Sequence, residues 1–214
     1  IAVLNGSNKW LRDSSGQFAA ADFSATASPI KNQRKASVRD ILVDGTVLHA
    51  TLEDVINILP LTNTNVLDDG VLLWDARVKE QYSAGEVLEA TDAAPTDPAY
   101  DYTTSFQNGG SRQGHPRGAL QLNFAHLLVG NGSDGLYKSK AELANYFAGG
   151  RDAAGKGFID STYAPVGAGR AWQPGDVVYI YCETAMRAAI AAVASAVILG
   201  KPTRIYDGSM IEWN

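Results

Sequence analysis

One cysteine and one arginine stand at a spacing that could support nucleophilic chemistry. Cys182 is the only cysteine of the chain, and it forms the pattern Cys-x4-Arg with Arg187. A cysteine reacts as its thiolate, which a nearby positive charge and the amides at the start of a helix both stabilise. The pair therefore predicts a reactive cysteine. An inert, buried cysteine is the alternative that residue type alone favours.

The elements on either side of Cys182 would position it. Residues 177–181 read Val-Val-Tyr-Ile-Tyr, a β-branched and aromatic run that is typical of a buried strand. Residues 187–199 are small and apolar and contain no glycine or proline, which predicts a buried helix. Cys182 then lies where the strand has ended and the unsatisfied amides of the helix begin.

Composition describes a globular domain and excludes several classes of function. The 214 residues are 45% hydrophobic and 19% charged, which is enough for one sizeable core. The net charge of −5 argues against nucleic acid or an anionic membrane as a partner. The longest apolar run is too short to span a bilayer, and one cysteine excludes internal disulfides and zinc clusters. Low lysine content and polar loops favour an extracytoplasmic setting.

Further strands and helices alternate along the chain. Residues 71–74 predict a second buried strand that ends at Asp75, and residues 118–124 predict a short one. Thr51 and Ser139 begin capping signals for helices, and residues 78–82 predict a helical turn. This order predicts an α/β domain with a mainly parallel central sheet flanked by helices. In such sheets ligands bind at the carboxyl ends of strands, where Cys182 is expected.

The two ends of the chain resemble each other. Each has an apolar run, then Asn-Gly-Ser or Asp-Gly-Ser, then a tryptophan: Asn5 to Trp10 at the start and Asp207 to Trp213 at the end. We interpret this match as the trace of an internal repeat, with two unrelated pieces as the alternative. The predicted organisation is the remnant of a preceding domain over 1–16, a linker over 17–36, and a domain over 37–214 with long loops at 85–114 and 149–175.

Four segments together resemble the rhodanese domain, in the order found in that family. They are Asp75-Ala76-Arg77, Gly114-His115-Pro116-Arg117-Gly118-Ala119, the loop from Cys182 to Arg187, and Tyr206-Asp207-Gly208-Ser209 with Glu212-Trp213. The last segment is similar to the closing signature of tandem-domain thiosulfate or 3-mercaptopyruvate sulfurtransferases, so the resemblance is to their C-terminal domain. It implies a rhodanese-like three-layer fold, and the segment over 1–16 would then end the preceding rhodanese-like domain.

The resemblance also implies a reaction that needs no cofactor and no metal. Cys182 would take a sulfane sulfur from thiosulfate or 3-mercaptopyruvate as a persulfide, and pass it to a thiophilic acceptor such as cyanide. The implied substrate-binding loop comprises Glu183, Thr184, Ala185, Met186, Arg187 and Ala188, and the implied supporting residues are Asp75, Arg77, Gln81 and His115. We expect Arg77 to pair with a carboxylate and His115 to form structural hydrogen bonds, whereas His126 should lie at the surface.

Three residues depart from the family pattern and keep a second function open. Glu183 stands where many members have arginine or glycine, Ala185 where glycine is usual, and Gln81 where tandem members often carry a second arginine. These departures favour a non-catalytic rhodanese-like binding or assembly module, because a fold does not determine a function. A phosphatase or arsenate reductase would need the wider Cys-x5-Arg loop to hold an oxyanion, and here the spacing is Cys182-x4-Arg187.

Overall fold

The described part of the chain covers most of its carboxyl-terminal three quarters. The computed structural model describes residues 45–62, 64–67, 70–85, 113–132, 135–168 and 171–213. The segment over 1–16, the linker over 17–36 and most of the loop over 85–114 lie outside the described residues, so their organisation stays a prediction.

The centre of the domain is a parallel sheet, which has five strands within the described residues. The strands are β1 (His49–Ala50), β2 (Val71–Asp75), β3 (Leu120–Gln121), β4 (Val177–Tyr181) and β5 (Thr203–Tyr206). Their order across the sheet is β1-β5-β4-β2-β3, and each neighbouring pair is parallel. This confirms the predicted α/β fold with a parallel sheet. The carboxyl ends of β2, β4 and β5 meet at one edge, so the segments that follow these strands lie together.

Helices connect the strands. They are α1 (Leu52–Ile58), α2 (Lys79–Tyr82), α3 (Lys140–Phe147), α4 (Met186–Ala192) and α5 (Ser209–Glu212), and α4 continues as a π-helical segment (Val193–Ile198). Both predicted capping signals are confirmed: Thr51 and Ser139 each form a capping box at the start of α1 and α3. None of the described helices is long and apolar enough to cross a membrane.

The strand predicted over 118–124 is shorter than expected. It covers only Leu120–Gln121, and a 3-10 helix (Phe124–Leu127) follows. The side chain of Asn123 caps this helix by accepting a hydrogen bond from the amide of Ala125 at 3.0 Å. Asparagine side chains offer the backbone such local bonds in competition with a strand ladder, which explains the early end of β3.

The sheet is buried on both faces, as its apolar strands require. On one face Trp74 packs edge-to-face against Phe147 and Phe158, with ring centroids 5.6 and 5.3 Å apart. On the other face Leu73 packs with Tyr181, in a cluster closed by the carboxyl-terminal segment of the chain. Successive side chains of β2 and β4 therefore pack on opposite faces of the sheet, in different cores, because side chains alternate along a strand.

The loop over 149–175 has no helix or strand in its described part, but it is firmly anchored. The carboxylate of Asp152 accepts hydrogen bonds from the Lys138 amine at 2.7 Å and from the Tyr146 hydroxyl at 2.8 Å. Burial alone would raise the pKa of Asp152, but the hydrogen bonds from Lys138, the Lys156 amide and Tyr146 lower it to about 2. The loop is thus joined to α3 by a partly buried cluster of ionic and hydrogen-bonding groups.

Candidate functional site

Cys182 lies between a strand and a helix, as the sequence predicted. It directly follows β4, and α4 begins shortly afterwards at Met186. The side chain belongs to the core cluster on the Trp74 face of the sheet, and Cys182 is only 1% exposed. The thiol is therefore buried at the base of the loop.

A left-handed residue shapes this loop. Ala185 has φ +67° and precedes the first residue of α4 without contributing a side-chain cap. This conformation costs roughly 1–2 kcal/mol for an L-residue with a Cβ atom and very little for glycine. The strain marks the turn that redirects the chain from the sheet into α4.

The closing segment of the chain forms hydrogen bonds with the backbone of the loop that starts at Cys182. The Ser209 hydroxyl oxygen accepts hydrogen bonds from the amides of Cys182 (3.2 Å) and Ala185 (3.0 Å), and its proton is donated to the Tyr206 carbonyl (3.0 Å). The amides of Met210 and Ile211 donate to the carbonyls of Cys182 and Glu183 at 3.1 and 3.2 Å. The amides of Cys182 and Ala185 are therefore directed at Ser209, which fixes the backbone position of Cys182 at the start of the loop.

Three polar side chains join above the loop. The Arg187 Nη1 donates to Gln81 Oε1 at 2.6 Å, and the Arg187 Nη2 lies 3.4 Å from Glu183 Oε2. Gln81 Nε2 donates to the same carboxylate oxygen at 3.2 Å. A cation in the first turn of a helix opposes the helix dipole, so the carboxylate of Glu183 stabilises Arg187 in that position. We call these three residues the Glu183–Arg187–Gln81 triangle.

Arg77 and Asp75 form a buried ion pair beneath the site. Both side chains are fully buried, and Arg77 Nη2 lies 2.6 Å from Asp75 Oδ2 and 2.5 Å from the Gly114 carbonyl. Burial lowers the pKa of Arg77, but the carboxylate of Asp75 outweighs it and raises that pKa above its ordinary value. Arg77 thus pairs with a carboxylate, as expected from the sequence, and its contacts tie the end of β2 to the Gly114 turn.

His115 has the structural hydrogen bond expected of it, whereas the expectation for His126 was wrong. The His115 ring stacks on Tyr82 at 3.8 Å between centroids, and its Nδ1 lies 2.9 Å from the Tyr82 carbonyl oxygen. His126, predicted at the surface, is only 2% exposed. The Asn123-capped 3-10 helix turns it inwards, where its Nδ1 lies 3.3 Å from Asn131 Oδ1.

The buried phenols of Tyr181 and Tyr82 both have raised pKa values. Burial is the main cause that raises the pKa of Tyr181 and of Tyr82, and the negative charge of Asp75 raises both further. Both phenols therefore stay protonated at neutral pH. Among the described residues, no group of three or more His, Cys, Asp or Glu side chains is placed to hold a metal ion.

The structure brings most of the predicted site residues together, but not all of them. The loop, Gln81 and Arg187 meet at the carboxyl edge of the sheet, and Thr184 and Met186 are exposed at its rim. Ala188 is fully buried in the core and offers no side chain to the rim. Ser209 was predicted only as part of a closing signature, and its role in holding the loop was missed, because the bond joins residues far apart in the chain.

The comparison with protein families agrees with this architecture. The model of the rhodanese-like domain family matches residues 62–214. No curated protein is significantly similar to the chain. Among solved structures, the Tum1 protein from Saccharomyces cerevisiae is similar with a TM-score of 0.47 and 17% sequence identity, over 78% of this chain and 43% of that chain. The chain thus spans less than half the length of that protein. Because the family match covers most of the 214 residues, the chain belongs to the rhodanese-like domain family.

Proposed function

We propose that the chain is a sulfurtransferase that carries a sulfane sulfur as a persulfide on Cys182. The donor is a small molecule, thiosulfate or 3-mercaptopyruvate, and the acceptor is a thiophile such as cyanide. The observation that carries the proposal is the position of Cys182 at the carboxyl end of the central strand β4, directly before the start of α4. Ligands of parallel sheets bind at this edge, and helix starts stabilise anions.

The proposed first half-reaction creates the persulfide. The Cys182 thiolate attacks the outer sulfur of thiosulfate, the sulfur–sulfur bond of the donor breaks, and sulfite leaves with the bonding electrons. With 3-mercaptopyruvate the carbon–sulfur bond breaks instead, and the leaving enolate takes up a proton to become pyruvate. In the second half-reaction cyanide attacks the terminal sulfur, thiocyanate leaves, and the thiolate is restored.

The loop offers groups that suit a persulfide. Among the described residues, the amides of Thr184 and Met186 make no hydrogen bond, and both residues lie at the exposed rim. A persulfide carries its outer sulfur about 2 Å from the cysteine sulfur, and on this proposal the amides of the loop stabilise it. Arg187 adds positive charge in the first turn of α4. The burial of Cys182 suits small donors and acceptors better than bulky ones.

A non-catalytic binding or assembly module is the second candidate. Two observations favour it: Cys182 is 1% exposed, and the charge of Arg187 is matched by the carboxylate of Glu183. Such a module would use the exposed rim, including Met186, which is 77% exposed. In such a module the thiol of Cys182 would take no part in a reaction.

A steady-state assay tests the proposal. Purified protein is incubated with cyanide and either donor, and thiocyanate formation is compared with that of Cys182→Ser. The proposal expects turnover with at least one donor and none above background in Cys182→Ser. Equal background rates in both proteins, at donor concentrations well above the millimolar range, would favour the binding module.

A further inference from the structure

A cavity lies at the amino edge of the sheet, away from the edge that carries Cys182. Its volume is about 530 Å³, and it is lined by the first residues of β2 and β3, the turn before β4 and the turn over 160–162. Asp176 directly precedes β4 and Cys182 directly follows it, so the two are roughly 20 Å apart at about 3.3 Å per residue. Cavities of this size hold small molecules.

Hydrogen bonds fix the turn before β4 as one wall of the cavity. Asp176 is 7% exposed, and its two carboxylate oxygens accept hydrogen bonds from the amides of Gly70 at 3.1 Å and Gln173 at 2.7 Å. The Trp172 Nε1 donates to the Asp176 carbonyl at 3.1 Å, and the Lys201 amine lies 3.1 Å from the centroid of the Trp172 ring. This wall is therefore preorganised, which lowers the cost of binding a ligand.

The turn over 160–162 brings a second carboxylate to the cavity. The Asp160 Oδ1 accepts hydrogen bonds from the amide of Thr162 at 2.9 Å and from its hydroxyl at 2.6 Å, and the Asp160 amide donates to the Ala164 carbonyl at 2.9 Å. A backbone bridge between Gln121 and Ile159 joins this turn to β3. Both aspartates are thus held by their own backbone surroundings.

The lining combines negative charge with an apolar surface. Among the described residues that line the cavity, Asp160 and Asp176 are charged, and none is Lys, Arg or His. Burial lowers the pKa of Lys201, and the negative charge of Asp176 opposes this shift, so Lys201 balances part of the charge of Asp176 from outside the lining. Valine, leucine and alanine side chains supply the apolar part of the lining.

We propose that this cavity binds a small organic cation, an ammonium group joined to an apolar body. The ammonium group pairs with the carboxylates of Asp160 and Asp176, and the apolar body packs against Val71 and Leu120. Coulomb attraction and the burial of apolar surface both favour such a ligand, whereas an anion is repelled. The site is separate from Cys182, and the inference does not depend on the proposed sulfur transfer.

Benzylamine is a suitable probe, because it carries an ammonium group on a small aromatic body. Its binding to isotope-labelled protein is followed through the chemical shifts of backbone amides, and is compared with neutral benzyl alcohol and anionic phenylacetate. We expect saturable shifts in the turns over 160–162 and 171–176, with a Kd of roughly 1 mM for benzylamine. Benzyl alcohol should bind about fivefold more weakly or worse, the effect of one charge at close range in a solvated site, and phenylacetate should be the weakest. Equal affinity for the three probes, or no saturable shift with benzylamine, would overturn the proposal.

Three variants assign the binding to this cavity. Asp160→Asn removes one charge, keeps the oxygen that accepts from Thr162, and should weaken benzylamine about fivefold without affecting benzyl alcohol. Ser161→Lys places an ammonium group of the protein itself at the lining and should weaken benzylamine about tenfold or more. Glu53→Gln removes one charge from an exposed position on α1 and should change neither affinity. Unchanged benzylamine affinity in Asp160→Asn or in Ser161→Lys, or an equal loss in Glu53→Gln, would overturn the assignment.

Discussion

The hydroxyl of Ser209 accepts a hydrogen bond from the amide of Cys182 at 3.2 Å. The last described helix of the chain thereby holds the candidate nucleophile at its backbone, although the two residues belong to different strand–loop units. Ser209 itself has φ +50° and is fully buried. The closing segment is thus part of the site, as a support for the loop.

Ser209→Gly removes the hydroxyl while relieving the left-handed backbone, which glycine tolerates. We expect a net loss of about 1–3 kcal/mol in the free energy of unfolding, because the buried amide of Cys182 and the partly buried amide of Ala185 lose their acceptor. Urea denaturation measures this loss, and the rate of alkylation of Cys182 reports whether the loop has also changed. Ser209→Ala serves as the comparison, since it loses the same hydroxyl and keeps the strain, and should be the less stable variant. Unchanged stability and alkylation in Ser209→Gly would refute the supporting role.

Ala185→Gly should stabilise the protein. The residue has φ +67°, and removing its Cβ atom relieves a strain of roughly 1 kcal/mol, only partly offset by the greater freedom of glycine in the unfolded chain. Thermal unfolding would detect a rise in Tm. Ala144→Gly in the middle of α3 is the matched control, where the same substitution should destabilise. A fall in stability of equal size in both variants would show that Ala185 is not strained.

The Asp152 cluster should make stability depend on acid pH. The folded-state pKa of Asp152 is about 2, below the unfolded value near 3.9, so its contribution is present above that unfolded value and is lost as the pH falls from about 4 to about 2. Asp152→Asn should cost about 1–2 kcal/mol at neutral pH after allowance for solvent screening. Unfolding free energies measured between pH 2 and 7 should show a shallower acid slope in the variant. Parallel curves would contradict this account.

Arg77→Met should be among the most destabilising single changes at the site. It leaves the carboxylate of Asp75 buried without its cation, and breaking such a pair costs about 3–5 kcal/mol. The double variant Asp75→Asn with Arg77→Met should recover part of that loss. Denaturant unfolding of the three proteins measures the coupling, and equal losses in the single and double variants would show that Arg77 acts by other contacts.

The fold and the position of Cys182 could be predicted from the sequence because both depend on local patterns. The runs that became β2 and β4 are buried on both faces of a parallel sheet, so they are apolar throughout. The capping signals at Thr51 and Ser139 are complete within a few residues, and the structure has both.

The contacts that shape the site could not be predicted in the same way. Gln81 and Arg187 lie on different strand–helix units, and their hydrogen bond at 2.6 Å exists only because β2 and β4 are neighbours. The sequence drew attention to Gln81 only as a departure from a family pattern. His126 was misplaced for a similar reason: its burial follows from a 3-10 helix that the strand prediction had covered.

The most direct test of the central claim is the intact mass of the protein after incubation with each donor in the absence of reductant. The account predicts a gain of one sulfur atom with at least one donor, reversed by cyanide and absent in Cys182→Ser. No gain with either donor, in protein whose Cys182 is still alkylated by iodoacetamide, would contradict it.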